Sequence, residues 1–210
     1  MNYKKLADGI DLYEGIFTEF ECNHIIGQAK YLLSHSLVHG SDAGADNKEY
    51  FDDPEIVNST CWLPHNKSSI VARMCEKISY ITCSPLENAE KLQVIHYPEG
   101  GLYNLHCDSW VHDNSEIQKS IMKYGGQRLL TAIVYLNDVE MGGETTFPNK
   151  NIVVKPKIGT LLVFNNCIGN TNKMDVNSIH GGMPVIKGEK WTFNLWFREA
   201  PMSKIMYQND

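Results

Sequence analysis

His106, Cys107 and Asp108 set an imidazole and a carboxylate two positions apart, residue types that bind metals or move protons. On an extended strand, residues i and i+2 point to one face, so the pair can converge while Cys107 points away. Alone the pair is weak, because eight histidines in 210 residues make roughly 0.4 such pairs expected by chance. A second constellation adds weight: His180-Gly181-Gly182-Met183-Pro184-Val185, then a strand-like run from Lys190 to Arg198. In that run Trp191, Phe193, Leu195 and Phe197 fall on one face, and Lys190, Thr192, Asn194, Trp196 and Arg198 on the other. If both faces are covered, the Lys190 ammonium needs an anion, and no acidic residue shares its face. The plainer alternative is an edge-strand lysine that discourages aggregation. Thr145 follows the Gly142-Gly143 turn; its hydroxyl either faces the same cavity or is that of an ordinary strand threonine.

Such residues need a rigid frame. Thr18-Glu19-Phe20-Glu21 has the capping-box form, and Ile25, Ile26, Ala29, Leu32 and Leu33 follow at helical spacing, predicting a helix over 19–34. A second helix is predicted over 67–81 from Ile70, Val71, Met74, Ile78 and Ile81. From residue 90 the pattern changes to short β-branched and aromatic runs: Lys91 to Tyr97, Leu129 to Leu136, Ile152 to Val154, Thr160 to Phe164 and Trp191 to Arg198. Consecutive strands without intervening helices imply a sandwich or barrel. The layout is a single domain over 1–210, with helical support over 1–89, a β core over 90–200 and a tail over 201–210. Residues 40–56, acidic and rich in turn formers, and 111–127 read as long loops that close over a site mouth.

Composition bounds the partners. With 42% apolar, 21% charged and 10% aromatic residues, the chain is of ordinary globular type, and its length lets it bury roughly 70% of its unfolded surface. The net charge of −6 repels a phosphate backbone, so no nucleic-acid partner is expected. Six cysteines without a Cys-x-x-Cys argue against zinc ribbons and disulfide scaffolds. The first residues lack a signal-peptide core, and the apolar stretch Leu129 to Leu136 is far below the ~20 residues of a membrane span. A cytoplasmic monomer without a membrane partner is the expectation.

Four separated blocks, in order, carry a resemblance: Gln93-Val94-x-x-Tyr97-x-x-Gly100-x-x-Tyr103-x-x-His106-x-Asp108; Arg128-x-x-Thr131; Tyr135-Leu136-Asn137-Asp138 through Gly142-Gly143-Glu144-Thr145-x-Phe147-Pro148; and His180-Gly181-Gly182-x-Pro184-Val185-x-x-Gly188-x-Lys190-Trp191. Over about residues 15–198 the chain resembles the 2-oxoglutarate- and iron(II)-dependent dioxygenases of the prolyl 4-hydroxylase branch. The resemblance implies an α+β, mainly β fold: a double-stranded β-helix, or jelly roll, with N-terminal supporting helices. It implies His106, Asp108 and His180 as iron ligands, a facial triad leaving three open positions. It further implies Lys190 as partner of the distal carboxylate of 2-oxoglutarate, Tyr97, Thr145 and Trp196 as cosubstrate residues, and Tyr103 and Arg128 as peptide-binding residues. The activity implied is hydroxylation of prolyl residues at the 4-position in a peptide or protein. Fe(2+), 2-oxoglutarate and O2 are consumed or used, succinate and CO2 are released, and ascorbate serves as reductant.

Three other readings compete. An oxygenase of this type could act on a non-proline substrate. A cupin-like non-redox metal protein, or a zinc hydrolase, would use the same three donors but leave Lys190 and Trp196 without a task. A jelly-roll binding module would leave all four blocks unexplained.

Overall fold

The computed structural model describes residues 2–35, 38–39, 50–51, 58–111 and 116–202. Its frame is an eight-stranded antiparallel sheet, in spatial order Asn2–Ala7, Ile10–Glu14, Thr160–Asn165, Arg128–Tyr135, Lys190–Arg198, Leu92–Tyr97, Ser59–Leu63 and Ser34–His35. A four-stranded sheet, Ile152–Val154, Thr145–Phe147, His180–Gly182 and Tyr103–His106, packs against it. A short ribbon pairs Met141–Gly142 with Val185–Lys187. These paired sheets form the expected jelly roll.

Two cores hold it. Helix α1 (Glu19–Ala29) starts in the capping box: Thr18 N–H donates to Glu21 Oε2 at 2.8 Å, and Glu21 N–H donates back to Thr18 Oγ1 at 3.3 Å, an arrangement worth about 1 kcal/mol. Helix α2 (Ser69–Thr82) is capped by Ser68 and closed by Cys83 in the left-handed region at φ 51°. Cys22, Ile25 and Ala29 of α1 and Val71, Met74, Cys75 and Ile78 of α2 are buried in one cluster with Trp191, Phe193, Leu195 and Phe197. The apolar face of the Lys190–Arg198 strand thus packs under the helices. The second core lies between the sheets, where Phe147 and Val154 meet Ile133, Tyr135, Leu162 and Phe164.

Three expectations change. The first fifteen residues are no part of a helical support: Asn2–Ala7 and Ile10–Glu14 form a hairpin on the edge of the large sheet, turning at Asp8-Gly9 with Gly9 at φ 74°. Helix α1 stops at Ala29 rather than 34, because Tyr31 and Leu32 face solvent and Ser34–His35 pairs with Ser59–Leu63. The stretch 111–127 is not structureless throughout, since α3 spans Glu116–Met122. Of the loop 40–56, Tyr50–Phe51 is described, paired with Val38–His39; its other residues, with 112–115 and 203–210, lie outside the described residues. No described helix is long and apolar enough to cross a membrane.

Candidate metal centre and active site

The first two metal candidates meet because their strands are neighbours. His106 sits opposite His180, and Tyr103 opposite Gly182. Three steps on one strand therefore face two on the other, an extra residue that makes a β-bulge. The bulge turns both Tyr103 and His106 into the space between the sheets, their rings stacked at 4.0 Å between centroids. A Cβ on Gly181 would sit 3.0 Å from the Tyr103 carbonyl oxygen, so the bulged backbone leaves room for little but glycine there.

Among the described residues, His106, Asp108 and His180 form a group whose donor atoms all lie within 4.8 Å of one another. His106 Nε2 is 3.4 Å from Asp108 Oδ1, and His180 Nε2 is 3.7 Å from Oδ2. Each ring's Nδ1 faces a carbonyl two residues upstream, that of Asn104 at 2.7 Å and that of Ser178 at 2.9 Å. Carbonyls only accept, so both Nδ1 atoms carry the proton and both Nε2 lone pairs face the centre. Donors at this spacing can converge on one ion at bond lengths of about 2.1 Å. Two imidazoles and one carboxylate, with no fourth protein donor in the group, fit an iron(II) ion with open positions.

Electrostatics agree with a cation at this point. Burial alone would raise the Asp108 carboxyl, but His180, His106 and Arg128 outweigh it and hold the group well below the usual carboxylate range. Burial pushes His180 down to about 4, keeping its imidazole neutral. For His106, burial works against the charged form, while the hydrogen bond and charge of Asp108 outweigh it and raise the group.

Tyr97, Tyr103, His106, Thr145, His180 and Lys190 line one cavity between the sheets. Lys190 is 3% exposed and, among the described residues, forms no ion pair with a carboxylate; its Nζ lies 5.0 Å from the Tyr97 ring centre and 5.7 Å from that of Tyr135. Burial pushes its ammonium down to about 8, partly offset by the charge of Glu144. Tyr135 donates its hydroxyl proton to Thr145 Oγ1 at 2.8 Å, which frees the Thr145 O–H to donate into the cavity. A neutral phenol, a hydroxyl donor and an uncompensated ammonium make a receptacle for a carboxylate.

Residues 92–198 match the family model of the 2OG-Fe(II) oxygenase superfamily. "Prolyl 4-hydroxylase 2" of Arabidopsis thaliana is 36% identical over 216 residues, covering 93% of this chain and 69% of the plant protein. The chain belongs to the prolyl 4-hydroxylase family. A "Putative prolyl 4-hydroxylase" of Acanthamoeba polyphaga mimivirus is 43% identical over 152 residues, 72% of this family member and 62% of the viral protein. The viral collagen prolyl hydroxylase of Paramecium Bursaria Chlorella virus-1, solved as a 2OG complex, superposes with a TM-score of 0.70 at 26% identity, covering 90% of this chain and 94% of that one. As a 2-oxoglutarate- and iron(II)-dependent prolyl hydroxylase, the protein has no need of the non-redox alternatives.

Two more of the expected site residues of this hydroxylase, Trp196 and Arg128, are fixed by hydrogen bonds within the protein. Trp196, a cosubstrate residue by the resemblance, donates its indole N–H to Asp108 Oδ2 at 2.9 Å. Arg128, a peptide-binding residue by the resemblance, is held by Glu90 through two bonds of 2.6 and 2.9 Å and stacks 3.8 Å from the Trp196 ring centre. Glu90 also accepts from Arg198 Nε at 2.6 Å. Trp196 and Arg198 lie on the strand face of Lys190, and Arg128 and Arg198 share the one buried Glu90 carboxylate. Sequence reading also missed Thr131, whose hydroxyl donates to Asp108 Oδ2 at 2.6 Å. The Arg128-x-x-Thr131 block was the available signal.

Proposed function

We propose that the protein hydroxylates the 4-position of prolyl residues in a peptide or protein, converting 2-oxoglutarate and O2 to succinate and CO2. The observation that carries this reading is the cavity that joins His106 and His180 to the uncompensated Lys190. Iron(II), when bound, supplies the activation of dioxygen for attack on an unactivated C–H bond.

Every other part of the task falls to the chain. His106, Asp108 and His180 are the ligands. Lys190 and Thr145 would take the distal carboxylate of 2-oxoglutarate, with the Tyr97 ring as a wall, so the keto-acid end is directed at the open metal positions. Tyr103, stacked on His106 at the cavity edge, is placed to meet the substrate.

Ascorbate as reductant, a monomeric state and a reducing, cytoplasmic setting complete the proposal. The six cysteines, all unpaired, support the last of these. The test is incubation of a proline-peptide panel with iron(II), 2-oxoglutarate and ascorbate, read by mass spectrometry. A gain of one oxygen on proline, matched by succinate, is the expected result. Succinate without peptide oxidation across the whole panel would overturn the proline assignment.

A further inference from the structure

Asp108 has two oxygens with different surroundings. Oδ2 receives Thr131 Oγ1–H at 2.6 Å and Trp196 Nε1–H at 2.9 Å, which uses both of its in-plane lone pairs. His180 Nε2, at 3.7 Å, is beyond hydrogen-bond distance of it. Oδ1 faces His106 at 3.4 Å. We infer that Thr131 and Trp196 are positioning residues that withhold Oδ2 from the metal and present Oδ1 as a single ligand atom.

Each donor is itself held. Thr131 Oγ1 accepts from the Asn166 Nδ2 amide at 2.8 Å, which leaves its O–H for Asp108, and Asn166 is fully buried. Trp196 lies against the Arg128 guanidinium at 3.8 Å, and Glu90 fixes that guanidinium in turn. Supports of this kind set ligand orientation as strongly as the ligands themselves. The consequence is a matter of counting: a carboxylate binding through both oxygens would occupy one of the three positions that a two-point keto acid and dioxygen together require. Thr131 and Trp196 thereby guard the coordination number, and Arg128 supports the metal centre through Trp196.

This inference rests on the metal-centre reading, and cobalt(II) alone, titrated into the protein without cosubstrate, separates the two. Thr131→Val keeps the side-chain volume and removes the hydroxyl; Thr131→Ser restores it; Trp196→Phe keeps a ring on Arg128 and removes the N–H. Thr131→Val and Trp196→Phe are expected to alter the visible bands of bound cobalt(II) in position and intensity as Oδ2 enters the coordination sphere, with cobalt(II) affinity shifted about 10-fold or more from that of the wild type. Thr131→Ser should return both readouts to those of the wild type. Wild-type affinity and bands in both Thr131→Val and Trp196→Phe would overturn the inference while leaving the metal centre intact. Failure of the wild type to bind cobalt(II) would overturn the metal centre itself.

Discussion

The two faces of the Lys190–Arg198 strand are equally buried and chemically opposite. All nine of its residues are buried, yet Trp191, Phe193, Leu195 and Phe197 belong to the apolar helix-side core, whereas Lys190, Thr192 and Asn194 line the metal cavity and Trp196 bonds to Asp108. Burial on the first face is favourable everywhere, since each ring leaves water for close packing. On the second face, burial is tolerated only where a partner exists: Trp196 has Asp108 and Arg198 has Glu90. Lys190 is the exception: among the described residues it forms no ion pair with a carboxylate, and the proposed occupant of that place is the distal carboxylate of 2-oxoglutarate. One strand therefore separates stability from function by side-chain alternation alone, so substitutions on the two faces should fail in different ways.

The largest effect belongs to the polar side. Asp108→Ala removes the one anionic donor, so metal-dependent succinate release should fall to background while circular dichroism and the melting transition persist. A parallel loss of cooperative unfolding would show that the centre also holds the fold and would erase the distinction. On the apolar face, Phe193→Ala should cost about 3–5 kcal/mol of stability, read as a lower denaturant midpoint, with the remaining folded fraction still turning over. Lys190→Met should split the two properties with opposite signs. Loss of one partner of a buried ion pair raises the 2-oxoglutarate requirement by roughly a hundredfold or more, yet relief of an uncompensated charge should stabilise the cosubstrate-free protein by something on the order of 3 kcal/mol. A Lys190→Met protein less stable than wild type would contradict that account of the cavity.

The same contrast explains what could be read from the sequence. Alternation over 190–198 was legible because both faces are uniform over nine residues, and the four ordered blocks marked the His-Asp-His set. The N-terminal hairpin was missed although Asp8-Gly9, a two-residue turn signal, was present; its first strand, Asn2–Ala7, carries Lys4 and Lys5, is mostly exposed and lacks the apolar alternation that marked the other strands. The roles of Trp196, Arg128 and Thr131 were not legible, because their partners, Asp108 and Glu90, lie 20 or more positions away in sequence and the cross-sheet register brings them together. The bulge at Tyr103–His106 is of the same kind: nothing in four residues announces that the opposing strand is one residue shorter.

The smallest effect is also the most diagnostic for Lys190. In the free protein its ammonium gives up a proton near pH 8, against the ordinary 10.5. Between those values the unfolded chain holds more protons than the folded one, so the contribution of this group to stability rises with pH across that window and is least favourable below it. Cosubstrate binding has the reverse dependence, since a carboxylate requires the charged amine. Affinity for 2-oxoglutarate, measured by calorimetry with manganese(II) at the centre, should be flat below pH 8 and weaken toward tenfold per unit above it. Lys190→Arg supplies the control, because a guanidinium stays charged throughout this range: the arginine protein should bind with little pH dependence, even if more weakly. Identical pH profiles for the two proteins would show that the cosubstrate carboxylate is held by something other than the cation on this strand.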